Sequence, residues 1–96
     1  MGATLNTAVA MQAYTLTDRA TWISFGNKEN FQILVQNLPP MFNQYGVIIV
    51  NPEIHPHVKY ELSRKFVDWL LSEMGQKIIS DFRVQGQQLF FPNASS

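Results

Sequence analysis

At 96 residues, with 46% hydrophobic and only 15% charged side chains, the chain has the composition of one core-forming domain with a thinly charged surface, which excludes intrinsic disorder. Seven basic residues balance seven acidic ones, so there is no general pull toward nucleic acid or an anionic membrane, and any recognition of charge is local. The lack of cysteine excludes disulfides and thiolate chemistry; no apolar run reaches the length of a membrane span, and no signal peptide is visible at the N-terminus.

Residues 4–13 predict a helix, with Leu5, Ala8, Val9 and Gln12 on one stripe and Thr4 placed to cap it. Residues 13–17 then read as a short strand in which Thr15 and Thr17 face one way and Tyr14 and Leu16 the other, since side chains alternate along a strand. Asp18, a favoured N-cap residue, opens a second helix that runs through about Phe25. The polar run 26–30 predicts a surface loop, and 31–36 a second strand, broken off by Pro39 and Pro40. Residues 45–50 (YGVIIV) are continuously apolar and predict a strand buried on both faces, in the middle of a parallel or mixed sheet covered by helices.

After a proline-marked loop at 51–56, Leu62, Phe66, Leu70 and Met74 recur at intervals of four and predict a helix over 58–71. Ser72 interrupts it and caps a further helix whose apolar face carries Met74, Ile78, Ile79 and Phe82, with Glu73 in its first turn, the two helices being either continuous or bent near Gly75. Residues 83–88 read as polar and turn-forming around Gly86, and 89–91 as a short terminal strand or apolar plug. The whole reads as a single α/β domain without an internal boundary.

A strand that delivers two hydroxyls and Arg19 to a helix N-terminus suits an anion, because hydroxyls, a guanidinium and free backbone N–H groups all favour negative charge. Thr15, Thr17 and Arg19 are the candidate ligands, while the carboxylate of Asp18 repels an anion and is read as a structural cap. His55 and His57 lack a third ligand nearby and read as surface loop residues rather than a metal site. Glu61, Asp68, Glu73 and Asp81 read as solvated carboxylates, and Ser24, Ser63, Ser72 and Ser80 sit in no nucleophile motif. Acid/base and nucleophilic catalysis are unsupported, so the chain is read as no enzyme, with no cofactor implied. Phe66, Trp69, Phe90 and Phe91 read as core packing, since nucleic-acid stacking needs basic side chains between the rings.

Three stretches, MGATLNTAVAMQAYTLTDRAT, FNQYGVIIVNPEIHP, and FVDWLLSEMGQKIISDF with QLFFPNA, together resemble the C-terminal part of the tungstate-binding (TupA-like) family of ABC-transporter solute-binding proteins. That family lies in the periplasmic binding protein type II superfamily and is similar in plan to the molybdate and sulfate binders. The resemblance runs over nearly the whole chain; AYTLTDR is its most specific part, while SEMGQKII is shared more loosely. It implies a partial type II fold, a mixed sheet flanked by helices that lacks the N-terminal segment completing two lobes around an anion cleft. It also implies tungstate, molybdate or a related oxyanion as ligand, with Thr15, Thr17 and Arg19 on one wall of the site. The full-length family implies the membrane component of an ABC importer as partner, and a periplasmic or extracellular location.

The family's other Ser/Thr ligands and an important Arg come from the segment that is absent here. Met1 and Gly2 resemble the interior of the family's GMG pattern, so the chain is expected to start inside a longer family sequence and to end at its natural C-terminus. Removing the N-terminal part uncovers sheet edges and apolar helix faces, which predicts a homodimer or larger assembly. The competing expectation is a truncated product that binds no ligand and persists as a small self-associating module. Neither expectation includes nucleic acid or membrane insertion.

Overall fold

In the computed structural model, which describes residues 1–94, the first helix, α1, spans Gly2–Met11. The i, i+3, i+4 spacing of Leu5, Ala8 and Val9 sets the stripe it buries. It begins earlier than its apolar pattern suggests: Met1 takes the N-cap position without a side-chain bond, so Thr4 lies inside the helix and is not its cap. At the other end Gln12 turns left-handed, with φ 53° and ψ 45°. Its N–H reaches Val9 O at 3.2 Å, and that of Ala13 reaches Ala8 O at 2.9 Å. This is the Schellman pairing, with a glutamine where glycine is usual. Gln12 therefore leaves the stripe predicted for it.

Asp18 starts helix α2, Arg19–Ser24, as the sequence indicates. Its Oδ2 accepts from the Thr21 N–H at 3.1 Å and its Oδ1 from the Thr21 hydroxyl at 2.6 Å. Ile23 is the buried residue of α2, which packs against α1. At the C-terminal end the Lys28 ammonium donates to the carbonyls of Phe25 and Ile23 and lies 5.0 Å from the centre of the Trp22 ring, where a helix end and an aromatic face both favour a cation.

The sheet is a small antiparallel hairpin. Strand β1, Arg83–Val84, pairs with β2, Gln87–Gln88, in the register Arg83 to Gln88 and Val84 to Gln87. The connecting residues Gln85 and Gly86 have φ of 52° and 75°, the two positive values that a two-residue type I′ turn requires. Leu89 follows directly and is buried. The buried apolar side chains among the described residues, Leu5, Ala8, Val9, Ile23 and Leu89, all belong to one compact unit formed by Met1–Gln44 and Arg83–Leu89.

The second unit comprises Tyr45–Phe82 together with Phe90 and the residues that follow. It holds helices α3, Tyr60–Leu71, and α4, Glu73–Asp81. Ser72 separates them: its Oγ accepts from the Gly75 N–H at 3.1 Å and donates to Trp69 O, so the break sits at the cap and not at Gly75. Glycine at 75 has a different cause. A Cβ there would fall 2.1 Å from Trp69 O and 2.9 Å from Leu70 O, so α4 can begin this close to the end of α3 only without a side chain. Gln76 spans the same junction, donating to Leu70 O at 2.7 Å and accepting from the Ala94 N–H at 3.2 Å.

Three predicted strands do not form. Residues 13–17, 31–36 and 45–50 pair with no neighbour among the described residues. The run 45–50, expected to be buried on both faces, is exposed, with Ile48 at 92%. Sequence carries β propensity, but a strand exists only through cross-strand hydrogen bonds that a partner supplies. No strand forms at 89–91 either; the terminal β structure lies in the hairpin just before it. The aromatic core prediction fails for the same non-local reason. Phe66 and Trp69 stack on each other, with centroids 6.4 Å apart, at the surface. Phe90 is half-buried and meets Tyr45 edge-on at 6.0 Å, while Phe91 is exposed. The architecture remains mixed α/β, a small sheet accompanied by helices.

Candidate functional site

The segment 14–19 joins α1 to α2 within the first unit, and its side chains divide at Asp18. Before that residue, Thr15 and Tyr14 border an open recess of about 390 Å³ together with Thr4, Thr7 and Met11 of α1. The spacing of three residues sets Thr4 and Thr7 on one helix face, with Met11 one turn beyond. The Thr7 hydroxyl donates to Ala3 O at 2.9 Å, so it offers the recess only its lone pairs. The hydroxyls of Thr4 and Thr15 have no hydrogen-bond partner among the described residues, which leaves both able to donate.

Thr17 and Arg19 do not line this recess. Thr17 is half-buried, its hydroxyl directed at Asp18 O at 3.4 Å. Arg19 is exposed and donates its Nε–H to Gln88 O at 2.7 Å. The structure thus gathers Thr15 with Thr4 and Thr7, and sets Thr17 and Arg19 along the adjoining turn.

Asp18 controls what the start of α2 can do. The bond from the Thr21 hydroxyl holds its carboxyl below the usual carboxylate range; partial desolvation opposes this, and the Thr21 backbone N–H adds to the lowering. An ionised cap therefore already occupies the α2 N-terminus and uses the Thr21 N–H. An anion placed here would have to rely on side-chain hydroxyls and Arg19 rather than on that helix end. Thr4 and Thr7 escaped the sequence reading because Thr4 resembled a cap. The available signal was their T-x-x-T spacing beside, rather than on, the apolar stripe of α1.

A larger recess, about 560 Å³, lies in the second unit between residues 47–50 and the region of Val58, Phe66 and Val67. His57, Lys59 and Ser63 also border it, but its wall is mainly hydrocarbon and suits packing rather than an anion. His55 and His57 are exposed, their rings edge-to-face at 6.1 Å. Among the described residues no three His, Cys, Asp or Glu side chains gather to hold a metal, and no helix is long and apolar enough to cross a membrane.

The family model described as "PBP superfamily domain" matches residues 1–74. The chain is 40% identical over 97 residues to the tungstate-binding protein TupA of Peptoclostridium acidaminophilum, covering 99% of this chain and 34% of that protein. It is 30% identical over 100 residues to the tungstate-binding protein TupA of Campylobacter jejuni, covering all of this chain and 37% of that one. Among solved structures, the tungstate-binding protein TupA from Desulfovibrio alaskensis G20 matches with a TM-score of 0.79 and 42% identity, over 99% of this chain and 40% of that one. The chain thus spans about a third of the length of these curated relatives, and its architecture corresponds to part of a periplasmic-binding-protein type II fold.

Proposed function

The chain belongs to the PBP superfamily and resembles its tungstate-binding, TupA-like type II members, and from that premise we propose that it is the C-terminal part of a two-lobed solute-binding protein. It carries one wall of a site for tungstate or a related oxyanion, which the whole protein delivers to the membrane component of an ABC importer. The observation that carries this reading is the Thr15 hydroxyl, without a hydrogen-bond partner among the described residues and set on the same recess as Thr4 and Thr7, within the segment AYTLTDR.

The chemistry is reversible coordination by hydrogen bonds. A tetrahedral dianion presents only acceptors, so it is held by converging donors, and neutral hydroxyls supply these without a counter-charge that must itself be desolvated. Thr15 is assigned first as donor, then Thr17 and Arg19. Arg19 also offsets the charge of Asp18, so that the wall as a whole does not repel the anion. The remaining donors come from the portion of the fold that this chain does not match. Binding of this kind needs no cofactor and makes or breaks no covalent bond, which fits a transport role outside the cytoplasmic membrane, periplasmic or extracellular, rather than an enzyme.

Calorimetry with tungstate, molybdate and sulfate tests the reading. Saturable heat with a dissociation constant in the micromolar range or tighter, about −8 kcal/mol, is the expected outcome for at least one of the three. Heat equal to buffer dilution for all three contradicts it and leaves the second reading, a ligand-free self-associating module, which the exposed apolar run at 45–50 favours.

A further inference from the structure

The hydroxyls around the recess beside α1 differ in what they can still donate. Thr7 lies inside the helix, four residues after Ala3, and its hydroxyl proton goes to Ala3 O at 2.9 Å. Thr4 stands in the first turn of Gly2–Met11, where the position four residues earlier falls outside the helix, so no helical carbonyl is set to take its proton at that spacing. Its hydroxyl has no hydrogen-bond partner among the described residues. The same comparison along the following segment singles out one threonine. Thr17 turns its hydroxyl to Asp18 O, and Thr21 commits its own to the Asp18 carboxylate. Arg19 gives its Nε–H to Gln88 O. The hydroxyl of Thr15 has no partner among the described residues.

Thr4 and Thr15 border one recess of about 390 Å³, the first from the helix and the second from the segment that follows it. Ala3, Ala8 and Ala13 border it too and bring only methyl groups, which leaves room for a ligand close to the backbone. None of the described residues around it is charged, so no carboxylate repels an anion from within. Tyr14 presents a phenol nearby but is 89% exposed, and fixing its ring costs side-chain freedom. A β-branched threonine on a helix is already restricted about χ1, so Thr4 loses little freedom when it donates.

We propose that Thr4 is a further oxyanion-binding residue, donating its hydroxyl to the same ligand as Thr15 and ranking ahead of Thr17, whose hydroxyl is already engaged. The assignment rests on the oxyanion reading of this wall and adds to it a residue from α1. A tetrahedral oxyanion has several acceptor oxygens and satisfies both hydroxyls at once. The test is calorimetry of the full chain with tungstate, molybdate and sulfate, repeated on Thr4→Val, Thr4→Ser, Thr7→Val and Thr15→Val, with the urea midpoint of each variant measured alongside. Thr4→Val keeps the shape of the side chain and should weaken binding by roughly ten- to a hundredfold, the worth of one hydrogen bond to a charged group. Its urea midpoint should stay that of the unsubstituted chain. Thr4→Ser restores the hydroxyl and should restore most of the affinity, whereas Thr7→Val removes no uncommitted donor and should weaken binding less than Thr4→Val does. Unchanged affinity in Thr4→Val, beside a loss in Thr15→Val, overturns the proposal and leaves the reading of Thr15 intact. A loss in Thr4→Val that Thr4→Ser shares, or that Thr7→Val equals, overturns it too, because the hydroxyl of Thr4 is then not what binds. Heat equal to buffer dilution for the unsubstituted chain with all three anions overturns the proposal together with the reading beneath it.

Discussion

Arg19 donates its Nε–H to the carbonyl oxygen of Gln88 at 2.7 Å, joining residues 69 positions apart. The bond ties the start of α2 to the second arm of the hairpin, directly before the buried Leu89, so the turn that carries Thr17 and Arg19 is anchored to the core of its unit. Arg19→Lys keeps the charge but loses the planar Nε–H donor. The expected cost is about 1 kcal/mol, the net value of one hydrogen bond at an exposed site, read as a lower urea midpoint. Faster amide exchange should be confined to residues 83–89.

The Asp18 cap makes stability depend on acid. Its folded pKa lies below the ordinary value, first because of the Thr21 hydroxyl bond, so the folded state binds the proton less readily than the unfolded chain does. The resulting stabilisation is complete above the unfolded pKa, near 4, and is lost as pH falls through the lowered folded value. Asp18→Ala should cost about 1 kcal/mol at neutral pH. Its stability profile between pH 5 and 2 should be flatter than that of the parent, with the two curves converging at the acid end; urea unfolding at several pH values checks both.

Two backbone positions predict opposite signs. Gln12 occupies the left-handed region without being glycine, so Gln12→Gly should stabilise by up to about 1 kcal/mol. Gly75→Ala instead drives a methyl group into Trp69 O and should destabilise by roughly 1–3 kcal/mol as α3 and α4 move apart. Thermal unfolding of both variants measures the pair, and a neutral Gly75→Ala would contradict the close approach of the two helices.

What the sequence revealed follows from how local each cause is. The caps at Asp18 and Ser72 were legible because a cap is decided within three residues, as the bonds to Thr21 and Gly75 show. The stripe of Leu5, Ala8 and Val9 was legible from its period. The left-handed turn at Gln12 was hidden, since glutamine carries no signal for that conformation, and the hairpin showed only its Gly86. Residues 45–50 announced a strand but could not announce that none of the described residues pairs with it. The recess was half legible: AYTLTDR stood out, while Thr4 and Thr7 join Thr15 only after α1 folds beside it.

Thr15 distinguishes a ligand from a bystander. It is exposed and its hydroxyl has no hydrogen-bond partner among the described residues, so Thr15→Val should leave stability within about 0.5 kcal/mol. Oxyanion affinity should fall by roughly 1.5–3 kcal/mol, the worth of a hydrogen bond to a charged group. Thr15→Ser retains the hydroxyl and should retain most of the affinity. Calorimetry of the three proteins makes the comparison, and an unchanged dissociation constant for Thr15→Val removes Thr15 from the site.

The central claim, that the wall formed by α1 and the segment 14–19 holds an oxyanion, is tested most directly by titrating the isotopically labelled chain with tungstate and following its backbone amides by NMR. The account predicts saturable shifts at Thr4, Thr7, Thr15, Thr17 and Arg19, with the amides of α3 and α4 unmoved. A spectrum that does not change, or shifts confined to other cationic positions such as Lys28, Lys59 and Arg64, would contradict it.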